Sequence, residues 1–205
     1  MNSKNESSYY CPGESCSIHW TPLTQNDHKI LLKQNRGRNF HLSYIVAVAK
    51  RCTFGYPQVL VCSPLPLEKI LFPTVFWLTC PFLIKKCGRL ESAKQISNLE
   101  EIFRSKPKEV EEWHKAYSSL REKLITIKPI NSTSSTKKIP DKAMEYLLSK
   151  GVGGIDVKHA PFAVKCLHLQ VATWLGMRKH PAAQWLNDKI GVLECAEAFC
   201  DPNKL

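Results

Sequence analysis

The apolar run Ile70 to Ile84, ILFPTVFWLTCPFLI, limits this chain more than any other stretch. It is shorter than the ~20 residues that cross a bilayer as a helix, and Pro73 and Pro81 break it. A segment this bulky that cannot span a membrane must be buried at the centre of a folded domain. With 205 residues and 43% hydrophobic content there is material for one sizeable core. The expectation is an irregular arm over residues 1–22 and one α+β domain over 23–205. Residues 1–9 are polar, with no apolar segment behind a basic start, so no leader is expected and the cytoplasm is the expected compartment.

Two short β-rich runs supply the sheet. SYIVAVAK (43–50) and PQVLVC (57–62) are joined by RCTFGY, whose length and Gly55 permit a hairpin. The expectation is a small, mostly antiparallel sheet with strands near 43–50 and 57–63, packed with five to six helices. Thr24 and Asp27 resemble a capping box for the first helix, and Gly37 suits its exit. Pro81 starts a helix with Leu83, Ile84, Cys87 and Leu90. Arg89 and Glu91 near its end are either functional charges or a surface ion pair.

Pro107 to Lys123 is the most regular segment, and Val110, Trp113, His114, Tyr117, Leu120 and Leu124 make one apolar stripe. His114 on that stripe reads as a core histidine with one hydrogen bond. Pro140 and Asp141 open a further helix, which Gly151 is placed to end in a left-handed turn. A last helix holds Trp185, Leu186 and Ile190.

The net charge of +11 favours polyanions such as nucleic acid. The lysines are dispersed, however, which equally describes a solvated basic surface. Nine cysteines, with no leader expected, suggest reduced thiols: metal ligands, reactive groups or small core residues.

The stretch Gly151 to Gly176 concentrates the candidate chemistry. Gly153 and Gly154 permit a sharp backbone path and close approach of another group, without the Lys-Ser/Thr of a phosphate loop. Pro161 is expected to start a helix. Residues two apart on a helix diverge by ~200°, so Cys166 and His168 share a site only at a distorted helix start. A thiolate there would benefit from the helix N-terminus and from Lys165. Otherwise Cys166 is a small apolar filler and His168 a satisfied core imidazole. Cys11-x4-Cys16 and Cys195-x4-Cys200 stand at opposite ends of the chain, and together would make an all-thiolate site.

The order KRCTFGYPQV, FPTVFWLTCP, GRLES, GVGGI and VKCLH resembles the bacterial family catalogued as domain of unknown function 501, from about Leu31 to the C-terminus. The resemblance implies a bacterial cytosolic protein with no established activity. It directs attention to Arg51, Cys52, Trp77, Thr79, Cys80, Pro81, Arg89, Glu91, Gly153, Gly154, Lys165, Cys166 and His168. Related sequences carry a second His and an acid where this chain has Gln170 and Thr173.

The leading expectation is a metal-binding or thiol-based site of Cys80, Cys166 and His168, with Cys52 as fourth ligand and zinc as the fitting cation. Cys80, Cys166, His168, Arg89 and Glu91 are the catalytic candidates, and the Cys11, Cys16, Cys195, Cys200 set is the alternative metal site. A basic nucleic-acid-binding module, and an interaction protein whose motif residues are only core, are the rival readings.

Overall fold

The computed structural model describes residues 20–38, 40–65, 71–125 and 141–201. Helix α1 (Gln25–Gln34) precedes β1 (Ile45–Arg51), β2 (Pro57–Cys62) and β3 (Phe76–Leu78). Helices α2 (Pro81–Ser92), α3 (Gln95–Ser105), α4 (Pro107–Ile125), α5 (Asp141–Ser149), α6 (Leu167–Met177) and α7 (Ala183–Ile190) follow. The strands form one antiparallel sheet in the order β1-β2-β3.

The fold is α+β as the patterns predict, with seven helices among the described residues rather than five or six. Ser43 and Tyr44 belong to a 3-10 turn and not to β1. The hairpin between β1 and β2 forms, with Gly55 at a φ of 80°. The third strand comes from the central apolar run.

Side chains alternate across the sheet. Val59, Val61, Phe76 and Leu78 enter the main core, while Leu60, Cys62 and Trp77 face a second cluster with Leu31, Ile45 and Val48. Helix α6 covers the main-core side and contacts all three strands. It lies close to β3 because position 176 has no side chain: a Cβ on Gly176 would sit 2.3 Å from the Phe76 ring. Trp113 and Tyr117 of α4 complete this core, and the Tyr117 hydroxyl accepts the Val75 N–H at 2.6 Å.

The capping box of α1 is present, with Thr24 Oγ1 accepting from Asp27 N–H and Asp27 Oδ2 accepting from Thr24 N–H. The same carboxylate receives two hydrogen bonds from Arg51, at 2.7 and 2.8 Å, which ties α1 to the end of β1. Burial tends to raise the Asp27 pKa. The Arg51 and Thr24 hydrogen bonds outweigh it and leave the carboxyl below its ordinary value.

Two local expectations need correction. Gly151 has a φ of −77°, so no left-handed turn ends α5 there. Glycine is required for space instead: a Cβ at 151 would lie 2.4 Å from His114 Nδ1. Pro161 does not start a helix. It sits in a turn, and α6 begins only at Leu167.

Candidate metal centre

The late start of α6 decides where Cys166 and His168 point. Cys166 is the N-cap, with extended backbone at φ −166° and ψ 156°, and His168 is the second helical residue. The pair therefore escapes the divergence that a continuous helix would impose. Glu91 reaches them from the C-terminal end of α2. Its Oε1 accepts the Leu167 N–H at 2.6 Å and the His168 Nδ1–H at 2.9 Å.

A carboxylate is poorly placed at the end of its own helix, but here it meets the orphan N–H groups at the start of another. Glu91 thus joins the C-terminus of α2 to the N-terminus of α6. One ligand atom from each of Glu91, Cys166 and His168 lies within 4.8 Å of the other two, and all three residues are half-buried.

Burial pushes the Cys166 thiol above its ordinary pKa. The His168 and Leu169 backbone N–H groups and Lys165 oppose this, and Glu91 adds to it. One turn before Glu91, on the same side of α2, stands the fully buried Cys87. Burial, then Glu91 and Cys166, push its thiol up to about 12.

The glycine motif supports the centre from behind. Gly153 and Gly154 have φ of 59° and 81°. Lys165 donates to the Gly153 carbonyl at 2.6 Å, and a Cβ on Gly153 would strike Leu169 at 2.3 Å. The GVGG segment and the KCLH segment are therefore two halves of one close backbone contact.

The other expected site residues lie elsewhere. Cys80 is the N-cap of α2, and Glu91 stands eleven residues further along that helix, about 16 Å at 1.5 Å per residue. Cys52 lies in the hairpin turn. Neither belongs to the Glu91–Cys166–His168 group, which is the one such cluster among the described residues. Burial raises the Cys80 thiol to about 11, and charge on Cys200 or Cys195 would push it in the same direction.

Cys195 and Cys200 occupy an irregular segment after α7, while Cys11 and Cys16 fall outside the described residues. Arg89 makes no ion pair with Glu91, whose Oε1 instead takes the Leu167 N–H and His168 Nδ1; the Arg89 charge acts on Lys86. Glu91 enters the expectations as a catalytic candidate and not as a ligand. The signal that could have joined it to Cys166 and His168 was its place at the end of α2, one turn beyond Cys87.

Gln170 and Thr173 are both fully buried. Gln170 Oε1 accepts from His180 Nε2 at 2.9 Å. His114 is buried with two hydrogen bonds rather than one. Its Nδ1 accepts the Val152 N–H at 3.1 Å, so Nε2 holds the proton and donates to the Pro161 carbonyl at 2.9 Å. A groove of about 570 Å³ between α4 and α5 is lined in part by the buried His114 and shares no residue with the Glu91–Cys166–His168 cluster.

The profile of the family described as protein of unknown function (DUF501) matches residues 48–188, more than half of the 205-residue chain. The chain belongs to the DUF501 family. The matched span contains Glu91, Cys166 and His168 together with Cys52 and Cys80, and stops short of Cys195 and Cys200. No curated protein and no solved structure matches the chain.

Several cations of this basic DUF501 protein are committed internally. Lys86 donates to the Ile190 carbonyl at 2.7 Å, Lys106 to that of Pro181 at 3.1 Å, and Arg38 to that of Leu78 at 3.0 Å. Arg121, fully buried, donates to the Pro73 and Gly151 carbonyls. Part of the positive charge therefore serves packing rather than a polyanion. No helix among the described residues is long and apolar enough to cross a membrane.

Proposed function

We propose that this protein binds a zinc-type divalent cation through Glu91, Cys166 and His168, with a fourth position left for water. The observation that carries the reading is the convergence of the three ligand atoms within 4.8 Å. Sulfur, imidazole and carboxylate together suit zinc, and three protein ligands are the count found in zinc sites that activate a bound water for hydrolysis. The electrostatics favour a cation. Glu91 and an ionised Cys166 repel each other, and a divalent ion between them replaces that repulsion with two attractions. The His168–Glu91 hydrogen bond marks a proton that the cation would displace. Such a centre needs reduced thiols, which suits a cytoplasmic protein.

Thiol catalysis is the competing chemistry, because Glu91 orients His168 as an acid orients a catalytic base. The raised Cys166 thiol argues against it, since a nucleophilic cysteine needs its thiolate near neutral pH. Elemental analysis of protein purified under reducing conditions tests the proposal. One equivalent of zinc should disappear in the Cys166→Ala/His168→Ala double variant. Metal content unchanged by the double variant would overturn the proposal.

A further inference from the structure

The N-terminal end of α2 faces a second group of sulfurs. Cys52 comes from the hairpin turn, Cys80 from the N-cap of α2, and Cys195 and Cys200 from the segment after Ile190, which has no regular element. Hydrogen bonds fasten that segment on both sides of its cysteines. Gln58 Nε2 donates to the Leu193 carbonyl at 2.9 Å, the Thr53 N–H to Glu194 Oε2 at 3.0 Å, and Lys33 Nζ to the Asp201 carbonyl at 2.6 Å. The Gln58 link is direct, because its own carbonyl accepts the Thr79 and Cys80 N–H groups at 3.0 and 3.3 Å. Residues flanking the two tail cysteines are thus pinned beside Cys52 and Cys80.

These ties bring the Cys52, Cys80 and tail segments into one neighbourhood. Charge on Cys200 or Cys195 acts on Cys80, and charge on Cys52 or Cys195 acts on Cys200. The Leu83 and Phe82 backbone N–H groups work against burial at the Cys80 thiol, and the Gln34 side chain does so at Cys200.

The geometry points to a second cation site, a tetrathiolate zinc centre of Cys52, Cys80, Cys195 and Cys200 that fastens the C-terminal segment to the hairpin and to α2. Four thiolates and no open position describe a structural zinc site. No three of these sulfurs lie within 4.8 Å of one another. Closure therefore draws the irregular tail inward while Cys52 and Cys80 stay on the sheet and helix. Each thiol releases its proton as its sulfur takes up the metal. The site stands independently of the Glu91–Cys166–His168 centre.

Cobalt(II) titration of the reduced, metal-free full chain tests it, because thiolate-to-cobalt absorption reports the sulfur ligands of each event. Wild type should show two events, one of them rich in thiolate. Cys195→Ser/Cys200→Ser should lose that event and keep the other, and Glu91→Gln/His168→Ala should show the reverse. Cys52→Ser, in the half-exposed hairpin turn, should weaken the thiolate-rich event even if the double serine variant folds poorly. Zinc at ten times its Kd should also slow proteolysis within residues 191–201 about tenfold in wild type. Titrations of Cys195→Ser/Cys200→Ser and Cys52→Ser that superimpose on wild type would overturn the second site. Loss of only the sulfur-poor event from wild type would contradict the first centre and leave the second intact.

Discussion

Helix α2 carries a sulfur-containing corner at each end, and the two are built differently. At its C-terminal end Glu91 meets Cys166 and His168, whose positions are set by the start of another helix and by hydrogen bonds of 2.6 and 2.9 Å. At its N-terminal end Cys80 is linked through Gln58 to the segment that carries Cys195 and Cys200, which has no regular structure. The first corner brings its ligand atoms within 4.8 Å, and the second does not. Helix termini fix side chains through backbone groups that already need partners, whereas an irregular tail keeps its sulfurs apart until something binds them. Pre-organisation should therefore make the first corner sensitive to helix packing and the second sensitive to metal supply.

The largest expected effect comes from the packing of α6 on β3, at the opposite end of the helix whose start forms the first corner. Gly176→Val would drive a side chain into the Phe76 ring, which stands 2.3 Å from the Cβ position. Overpacking of this kind destabilises by about 1–3 kcal/mol. At about 2–4 °C per kcal/mol for a chain of this size, calorimetry should show a clear fall in Tm. Cation affinity at the first corner should fall with it, while the thiolate-rich event of the tail persists. Equal weakening of both would dissolve the contrast.

Acid should act on the rear of α6. His180 is buried, donates from Nε2 to Gln170 and accepts the Ala182 N–H at Nδ1, so protonation must break the second bond. Burial, with a smaller contribution from His114, pulls its pKa down to about 3. A histidine depressed in the folded state binds fewer protons there than in the unfolded chain. Its contribution is complete above the unfolded value of about 6.5 and fades as pH falls toward 3, by at most about 1.4 kcal/mol per unit. Urea unfolding of the metal-free protein should show a lower midpoint at pH 5 than at pH 7. In His180→Asn the difference should shrink.

Glu91→Gln keeps the shape of the side chain and removes its charge. Zinc affinity at the first corner should drop by at least the ~10–100-fold that accompanies loss of an outer partner, with little change at the tail. Smallest is Glu194→Gln, which weakens a tie to the Thr53 N–H at the exposed edge of the hairpin. Its effect on the stability of the metal-free chain should stay below about 1 kcal/mol. The zinc protection of residues 191–201 against protease should be the more sensitive readout.

Much of the scaffold was legible where local chemistry acts alone. The Thr24–Asp27 box, the strand over 57–62, Pro81 at the start of α2 and the stripe from Val110 to Leu124 all follow from capping, alternation and period. Helix α3 was missed although Ile96, Leu99, Ile102 and Phe103 repeat at helical spacing. Its first flanking residue is Lys94 in the left-handed region at φ 56°, which offers none of the usual start signals. Strand β3 is three residues long between two prolines, too short for alternation to register.

The candidate centre was half legible. Cys166 and His168 stood out by type, and a distorted helix start was the condition for their joint use, but Pro161 suggested an earlier helix than the turn at 161–162 allows. Glu91 joins them through a contact between residues 76 apart in sequence, which no local pattern encodes. The regrouping of Cys52 and Cys80 with the tail cysteines is likewise a product of tertiary ties through Gln58 and Thr53.

The pre-organised corner can be observed alone by loading the Cys195→Ser/Cys200→Ser protein with one equivalent of zinc and recording X-ray absorption at the zinc edge. The account predicts one sulfur at about 2.3 Å beside nitrogen and oxygen at about 2.0–2.2 Å. A shell of nitrogen and oxygen with no sulfur would contradict it.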